Sequence, residues 1–192
     1  MELLNKLQAL VLLITMIFFV SCDDDDDGIP PPINEEEVIT TMTVTLAPQG
    51  GGSPVFLQTR DLDGDGPDAP VVTVSGPLEA GQVYNGSIEI LNETESPAED
   101  ITEEIEEEAD EHQFFFLVGG TLDLTTEYDD QDDDGNPIGL AFTATAGAAS
   151  NGILTVVLRH EPDKDAAGVS DGEIANAGGE TDIEQDFSLE IQ

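Results

Sequence analysis

The stretch Val38–Leu46, VITTMTVTL, places Val38, Met42, Val44 and Leu46 on one face of an extended chain and mostly threonine on the other. Successive side chains of a strand point to opposite faces, so a period of two predicts a strand with one buried face. Reading outward, eight further segments repeat the pattern: Pro54–Arg60, Pro70–Ser75, Gln82–Leu91, Gln113–Val118, Thr121–Tyr128, Leu140–Ala146, Gly152–His160 and Asp182–Ile191. Clusters of Gly, Pro, Asn and Asp separate them, as turns require. The last keeps Ile183, Phe187, Leu189 and Ile191 at mostly even spacing. About nine short strands predict a mainly β chain, an antiparallel β-sandwich of Ig-like or jelly-roll-like type. Within Gln113–Val118, alternation puts Phe114 and Phe116 on one face and turns Phe115 the other way. Phe115 is therefore expected in a second core layer rather than on an exposed patch.

One segment breaks the β pattern. Ser96-Pro97-Ala98-Glu99 has the form of a capping box, and Ile101, Ile105 and Ala109 follow at i, i+4 and i+8. This predicts one acidic helix over residues 97–111, with Glu103, Glu104, Glu106, Glu107 and Glu108 on its solvated faces.

Lys and Arg total 4 against 43 Asp and Glu, a formal net charge of −39. Such a charge repels phosphate backbones and anionic lipid surfaces, which excludes nucleic acid as a partner and makes counter-cations the natural remedy for self-repulsion. A single cysteine rules out a disulfide within the chain. That cysteine, Cys22, stands between the apolar run Ala9–Val20 and the aspartates Asp23–Asp27. The run has 12 residues, within the span of a signal-peptide core and short of the roughly 20 that a spanning helix needs. Phe19-Val20-Ser21-Cys22 resembles a bacterial lipobox, with Phe19 where such motifs usually carry Leu. Lipidation at Cys22 then gives a membrane anchor, since several acyl chains on one residue hold stably. The five aspartates have two competing readings: a surface-export signal, which a run of this length favours, or a retention signal that keeps the protein facing the periplasm. Ile29-Pro30-Pro31-Pro32 reads as a stiff extended spacer. The expected organisation is a signal peptide at 1–21, a lipidated acidic tether at 22–36, and one β-sandwich domain at 37–192.

EEEVITT at Glu35–Thr41, EDITEEIEEEADEHQFFF at Glu99–Phe116, YDDQDDDGNPIGL at Tyr128–Leu140, GILTVVLRHEPDK at Gly152–Lys164 and GGETDIEQDFSLEI at Gly178–Ile191 together carry a resemblance. They are similar to a group of small acidic Bacteroidota-type lipoproteins, often labelled "type 1 periplasmic binding fold superfamily protein". The resemblance implies an outer-membrane lipoprotein exposed at the cell surface, with an accessory role beside an outer-membrane transporter in nutrient uptake. The fold reading follows the strand pattern rather than the label: a two-lobed binding fold needs repeated strand–helix–strand units, and here one helix stands among nine strands.

Two loops and two histidines have residues that suit metal chemistry. Asp61, Asp63 and Asp65 precede Gly66, and Asp130, Asp132 and Asp134 precede Gly135, each fitting D-x-D-x-D-G. Carboxylates at alternate positions can converge on calcium while the glycine permits the sharp turn. Asp68 adds to the first loop, and Asp129 or Asn136 to the second. The twelfth positions are Val72 and Ala141, so the bidentate glutamate of an EF-hand is missing. The competing reading is a pair of plain Asp-Gly turns. His112 begins the Phe-rich strand and His160 ends another, so if the two strands are antiparallel neighbours the imidazoles meet. With Glu108 one helical turn before His112, and Glu161 after His160, the set suits zinc or iron. The competing reading is two unrelated histidines at element boundaries, one capping a helix end.

Gly168-Val169-Ser170-Asp171-Gly172 matches the nucleophile-elbow spacing, but polar sequence precedes it and no histidine follows it. With no Trp and two Tyr for sugar stacking, the expectation is a binding protein and not an enzyme.

Overall fold

The computed structural model describes residues 37–64 and 66–192, which fall in one compact unit. The signal peptide, Cys22, the acidic tether and Asp65 lie outside the described residues. The strands in chain order are β1 Thr41–Pro48, β2 Val55–Arg60, β3 Val71–Val74, β4 Val83–Asn92, β5 Glu99–Asp100, β6 His112–Gly120, β7 Leu124–Tyr128, β8 Ala141–Ala146, β9 Ser150–His160 and β10 Glu180–Ile191. The helix, α1, spans Ile101–Glu107. All nine expected strands form, and the two-residue β5 is the addition.

The strands build two antiparallel sheets packed as a sandwich. The larger runs β3-β2-β1-β4-β8-β7, with β5 paired to the end of β4, and the smaller runs β10-β9-β6. Their facing sides close over one core, in which Met42, Val44 and Leu46 of β1 meet Phe114, Leu154, Val156, Leu158, Phe187 and Leu189 of the smaller sheet. Val38 is a correction: it precedes the strand and is 55% exposed. Phe115 is fully buried on the outer face of the smaller sheet. There it forms a second cluster with Val157, Val169 and Ala177, under the segment that joins β9 to β10.

The helix is shorter than expected and begins later. Glu99 and Asp100 pair with Asn92 and Leu91 of β4, which keeps the chain extended to Asp100. Asp100 then caps the helix, its carboxylate accepting from the Thr102 amide at 3.1 Å. Ser96 therefore has no capping role. The apolar stripe survives: Ile101 and Ile105 are buried, and Ala109, now past the helix end, is partly so. Among the described residues no helix is long and apolar enough to cross a membrane.

An aromatic column ties the sheets together. Phe116 of β6 lies 4.2 Å from Phe142 of β8 and 6.0 Å from Tyr128 of β7, measured between ring centroids. Phe142 in turn packs on its cross-strand partner Gly86, where a β-carbon would come within 2.4 Å of the ring. Glycine is needed here for room. Gly86→Ala is expected to destabilise the domain by about 1–3 kcal/mol through overpacking. Urea unfolding measures the loss, and adding Phe142→Leu should recover part of it.

Candidate metal centre

The pairing of β6 with β9 sets His112 directly opposite His160 at one end of the smaller sheet, on the side facing the core. The ring centroids are 4.6 Å apart with the planes tilted by 39°. Both histidines are buried. The turn after α1 delivers His112: its Nδ1–H donates to the Glu108 carbonyl at 3.1 Å. That hydrogen bond leaves Nε2 as the nitrogen that looks into the cluster, which is how metal-binding imidazoles are commonly oriented.

Two carboxylates join the histidines, and neither is one that the sequence pointed to. Glu37, just ahead of β1, brings Oε1 to 3.1 Å from His112 Nε2, with its side chain 8% exposed. The contact is close enough for an ion pair, yet it is not aligned as a hydrogen bond, and Glu37 Oε2 is buried without a hydrogen-bond partner. Asp182 comes from β10. Thr181 pairs with Arg159 and Ile183 with Leu158, so Asp182 is the extra residue of a β-bulge. A bulge re-aims a side chain, and here Asp182 Oδ1 lies 3.7 Å from His160 Nδ1. Glu37, His112, His160 and Asp182 each offer one ligand atom, all within 4.8 Å of one another.

The carboxylates and imidazoles of this group shift one another's protonation. The contact with His112 outweighs burial and holds the Glu37 carboxyl below its usual range. Burial alone would lower the His112 imidazole, but Glu37, the Glu108 carbonyl and Asp182 together hold it above its ordinary value. These shifts favour a charged His112 beside a charged Glu37, so an imidazolium balances that carboxylate when no metal is bound. Roughly 3.3 Å separates neighbouring ligands around tetrahedral zinc at ordinary bond lengths. The Glu37–His112 spacing of 3.1 Å is close to that edge, and the four ligand atoms as a set lie within 4.8 Å of one another.

The expected ligands Glu108 and Glu161 are placed differently. Glu108 is a correction: it takes part through its main-chain carbonyl, while its side chain is exposed. Glu161 is exposed too, and it groups with Glu111 and His160 on the solvent side. Among 43 acidic residues nothing local distinguishes Glu37 or Asp182 from the rest.

The aspartate loops are built as turns. Asp61 accepts from the amides of Asp63 and Gly64, and Asp63 from that of Asp68. Asp130 braces β8 by accepting from the Gly139 and Ala141 amides at 2.7 and 2.8 Å. Asp132 is buried, its Oδ1 accepting from the Asp134 and Asn136 amides and its Oδ2 from Lys164 Nζ at 3.0 Å. Lys164 Nζ also donates to the carbonyls of Ala109 and Pro137, which uses all three of its hydrogens. The ammonium thus occupies the place that a bound cation would take against Asp132. Asp130, Asp132 and Asp134 do not converge, and Asp134 is exposed. Ser170 Oγ is taken up by the Lys164 carbonyl at 3.0 Å.

No protein-family model, curated protein or solved structure matches this chain.

Asp132 has two opposing influences. Burial would raise its carboxyl, but the ammonium of Lys164 and the two amides prevail and hold it below its ordinary value of 3.8. Its contribution to stability is therefore present above that value and is lost as pH falls through the lower, folded one. Lys164→Met leaves Asp132 buried and uncompensated and is expected to cost about 3–5 kcal/mol at neutral pH. Thermal unfolding of the variant should show the loss, and adding Asp132→Leu should give some of it back.

Proposed function

We propose that the chain is a non-enzymatic, lipid-anchored protein of the cell envelope that binds a divalent transition metal, zinc or iron, at Glu37, His112, His160 and Asp182. One observation carries this reading. Two buried imidazoles and two buried carboxylates, drawn from four separate parts of the chain, meet at one end of the sandwich. Two nitrogens and two oxygens suit zinc or ferrous iron, and the two negative charges match a dication. The Nδ1 hydrogen bond to Glu108 supplies the outer support that such ligands need.

The anchoring part of the proposal rests on the lipobox-like Phe19–Cys22 and the acidic run behind it. The resemblance to Bacteroidota-type lipoproteins supports a surface position, with an outer-membrane transporter as the neighbour that receives the metal. Retention with the domain facing the periplasm is the alternative placement. The competing functional reading is a surface protein that uses calcium in its aspartate loops for stability alone; in the second of these loops Lys164 already contacts Asp132.

The intact chain, purified in detergent without chelators, is expected to contain zinc or iron by elemental analysis. Removing an outer-shell partner commonly weakens metal binding about 10–100-fold, so His112→Ala, Glu37→Gln or Asp182→Asn, each removing a ligand, should lower zinc affinity by at least about 100-fold. Calcium alone, unaltered by these substitutions, would return the protein to the structural reading.

A further inference from the structure

The smaller sheet ends at β6, and the ring of Phe116 reaches across to Tyr128 on β7, the last strand of the larger sheet. Two sheet edges thus lie on the same side of the sandwich. The Phe114 amide donates to the Ile138 carbonyl at 2.7 Å, so it points away from β9. Alternate residues of an antiparallel strand aim their main-chain groups the same way, so Phe116 and Val118 present theirs outward too. Among the described residues no strand pairs with them there, and neither makes a main-chain hydrogen bond on that side. Val118 shares the inward face of Phe114 and Phe116, yet it is 39% exposed. The core lacks its cover at this point.

Proteins protect open edges with short strands, charge, proline or a bulge. β3 has four residues, β7 has five and includes Glu127, and β10 is bulged and acidic. The stretch Phe116–Gly120, FLVGG, has none of these devices. A cleft of about 360 Å³ opens beside it, lined by Phe116, by Thr126, Glu127 and Tyr128 of β7, and by Ser170 and Asp171. The Tyr128 hydroxyl donates to the Phe114 carbonyl at 2.7 Å, which fixes that ring against the strand. Both charged residues of the cleft are carboxylates, and none of the described cations lies in it. Lys164 is held on Asp132, Arg60 on Glu93, and Arg159 by the Gly179 carbonyl. Two aromatic rings and two carboxylates suit a lysine or arginine side chain.

Charge also sorts the occupants. A second copy would bring one net charge of −39 against another. The chain's own tether carries Asp23–Asp27, Glu35 and Glu36 with no cation between them, and its three prolines cannot donate to a ladder. We propose that the free edge of β6 docks a partner protein, which adds an extended basic segment as a fourth strand of the smaller sheet. That segment pairs with the main chain of Phe116 and Val118 and covers Val118 with an apolar side chain. Its lysine or arginine enters the cleft between Glu127 and Asp171. Main-chain pairing supplies affinity, and the cleft supplies the choice of side chain.

The test uses the intact chain in detergent and a capped peptide of about seven residues, with one lysine amid valine and threonine. Calorimetric titration is run at about 0.15 M salt, where charges beyond about 8 Å are screened. The peptide should bind one to one, and amide exchange at Phe116 and Val118 should slow when it does. Replacing its lysine by glutamate, or methylating its backbone nitrogens that face β6, should weaken binding about tenfold or more. Val118→Pro should do the same and keep native circular dichroism, because the amide it removes faces outward. Glu127→Gln with Asp171→Asn should cost the lysine peptide about tenfold and leave a norleucine analogue within about threefold. A peptide that binds equally well with methylated nitrogens, or to a folded Val118→Pro variant, is held by charge alone and overturns the proposal. Absence of binding at about 1 mM peptide overturns it as well. A concentration-dependent dimer that Val118→Pro abolishes assigns the edge to a second copy and overturns the basic partner.

Discussion

The structure depends on the register of β9. This strand is hydrogen-bonded on both sides, to β6 and to β10, over nearly its whole length. Its alternate residues Leu154, Val156 and Leu158 face the main core, while Val157 faces the second cluster with Phe115. A slip of one residue would exchange the two faces, exposing leucines and burying Thr155 and Arg159. The same register places His160 opposite His112. The packing of the sandwich and the juxtaposition of the imidazoles are thus two consequences of one alignment.

The chain manages an extreme charge imbalance by placing its few cations deliberately. Lys164 is buried on Asp132 and on main-chain carbonyls next to the end of α1, where a positive group is favoured. Arg60 forms a two-pronged pair with Glu93, at 2.8 and 2.6 Å, and the Thr41 hydroxyl donates to the same carboxylate. Together they hold Glu93 down to about 2. The pair is exposed, so it orients the strand ends more than it stabilises the fold. Elsewhere the repulsion is left standing. Burial, then the neighbouring carboxylates of Glu99, Glu37, Glu108 and Glu107, push the Glu104 carboxyl above its usual range. A cation at the cluster would relieve that field locally as well as balance Glu37 and Asp182.

Much of the architecture was legible in the sequence. Alternation in β1, β9 and β10 and the turn residues between strands located nine strands, and the Phe114–Phe116 run announced two apolar layers. The limits of α1 were not legible, because the pairing of Glu99 and Asp100 with β4 overrides a local capping signal that is otherwise well formed. The aspartate loops show the same limit. Their spacing suits calcium, but whether carboxylates converge is decided by which amides and which ammonium the surrounding chain brings to them. Lys164, 32 residues from Asp132, could not be assigned to that role from its own neighbourhood.

The candidate centre divides along the same line. The sequence by itself determined that two histidines stand at strand ends where they meet if those strands pair, that the chain is mainly β, and that it is strongly anionic. Each of these is a property of composition or of a short window, since the side-chain period of a strand repeats every second residue. Tertiary structure alone decided which carboxylates face the imidazoles. Glu37 arrives from the start of the opposite sheet, and Asp182 arrives through a bulge that inserts one residue against β9. Pairing and bulging depend on the partner strand, so no local pattern in the chain records them.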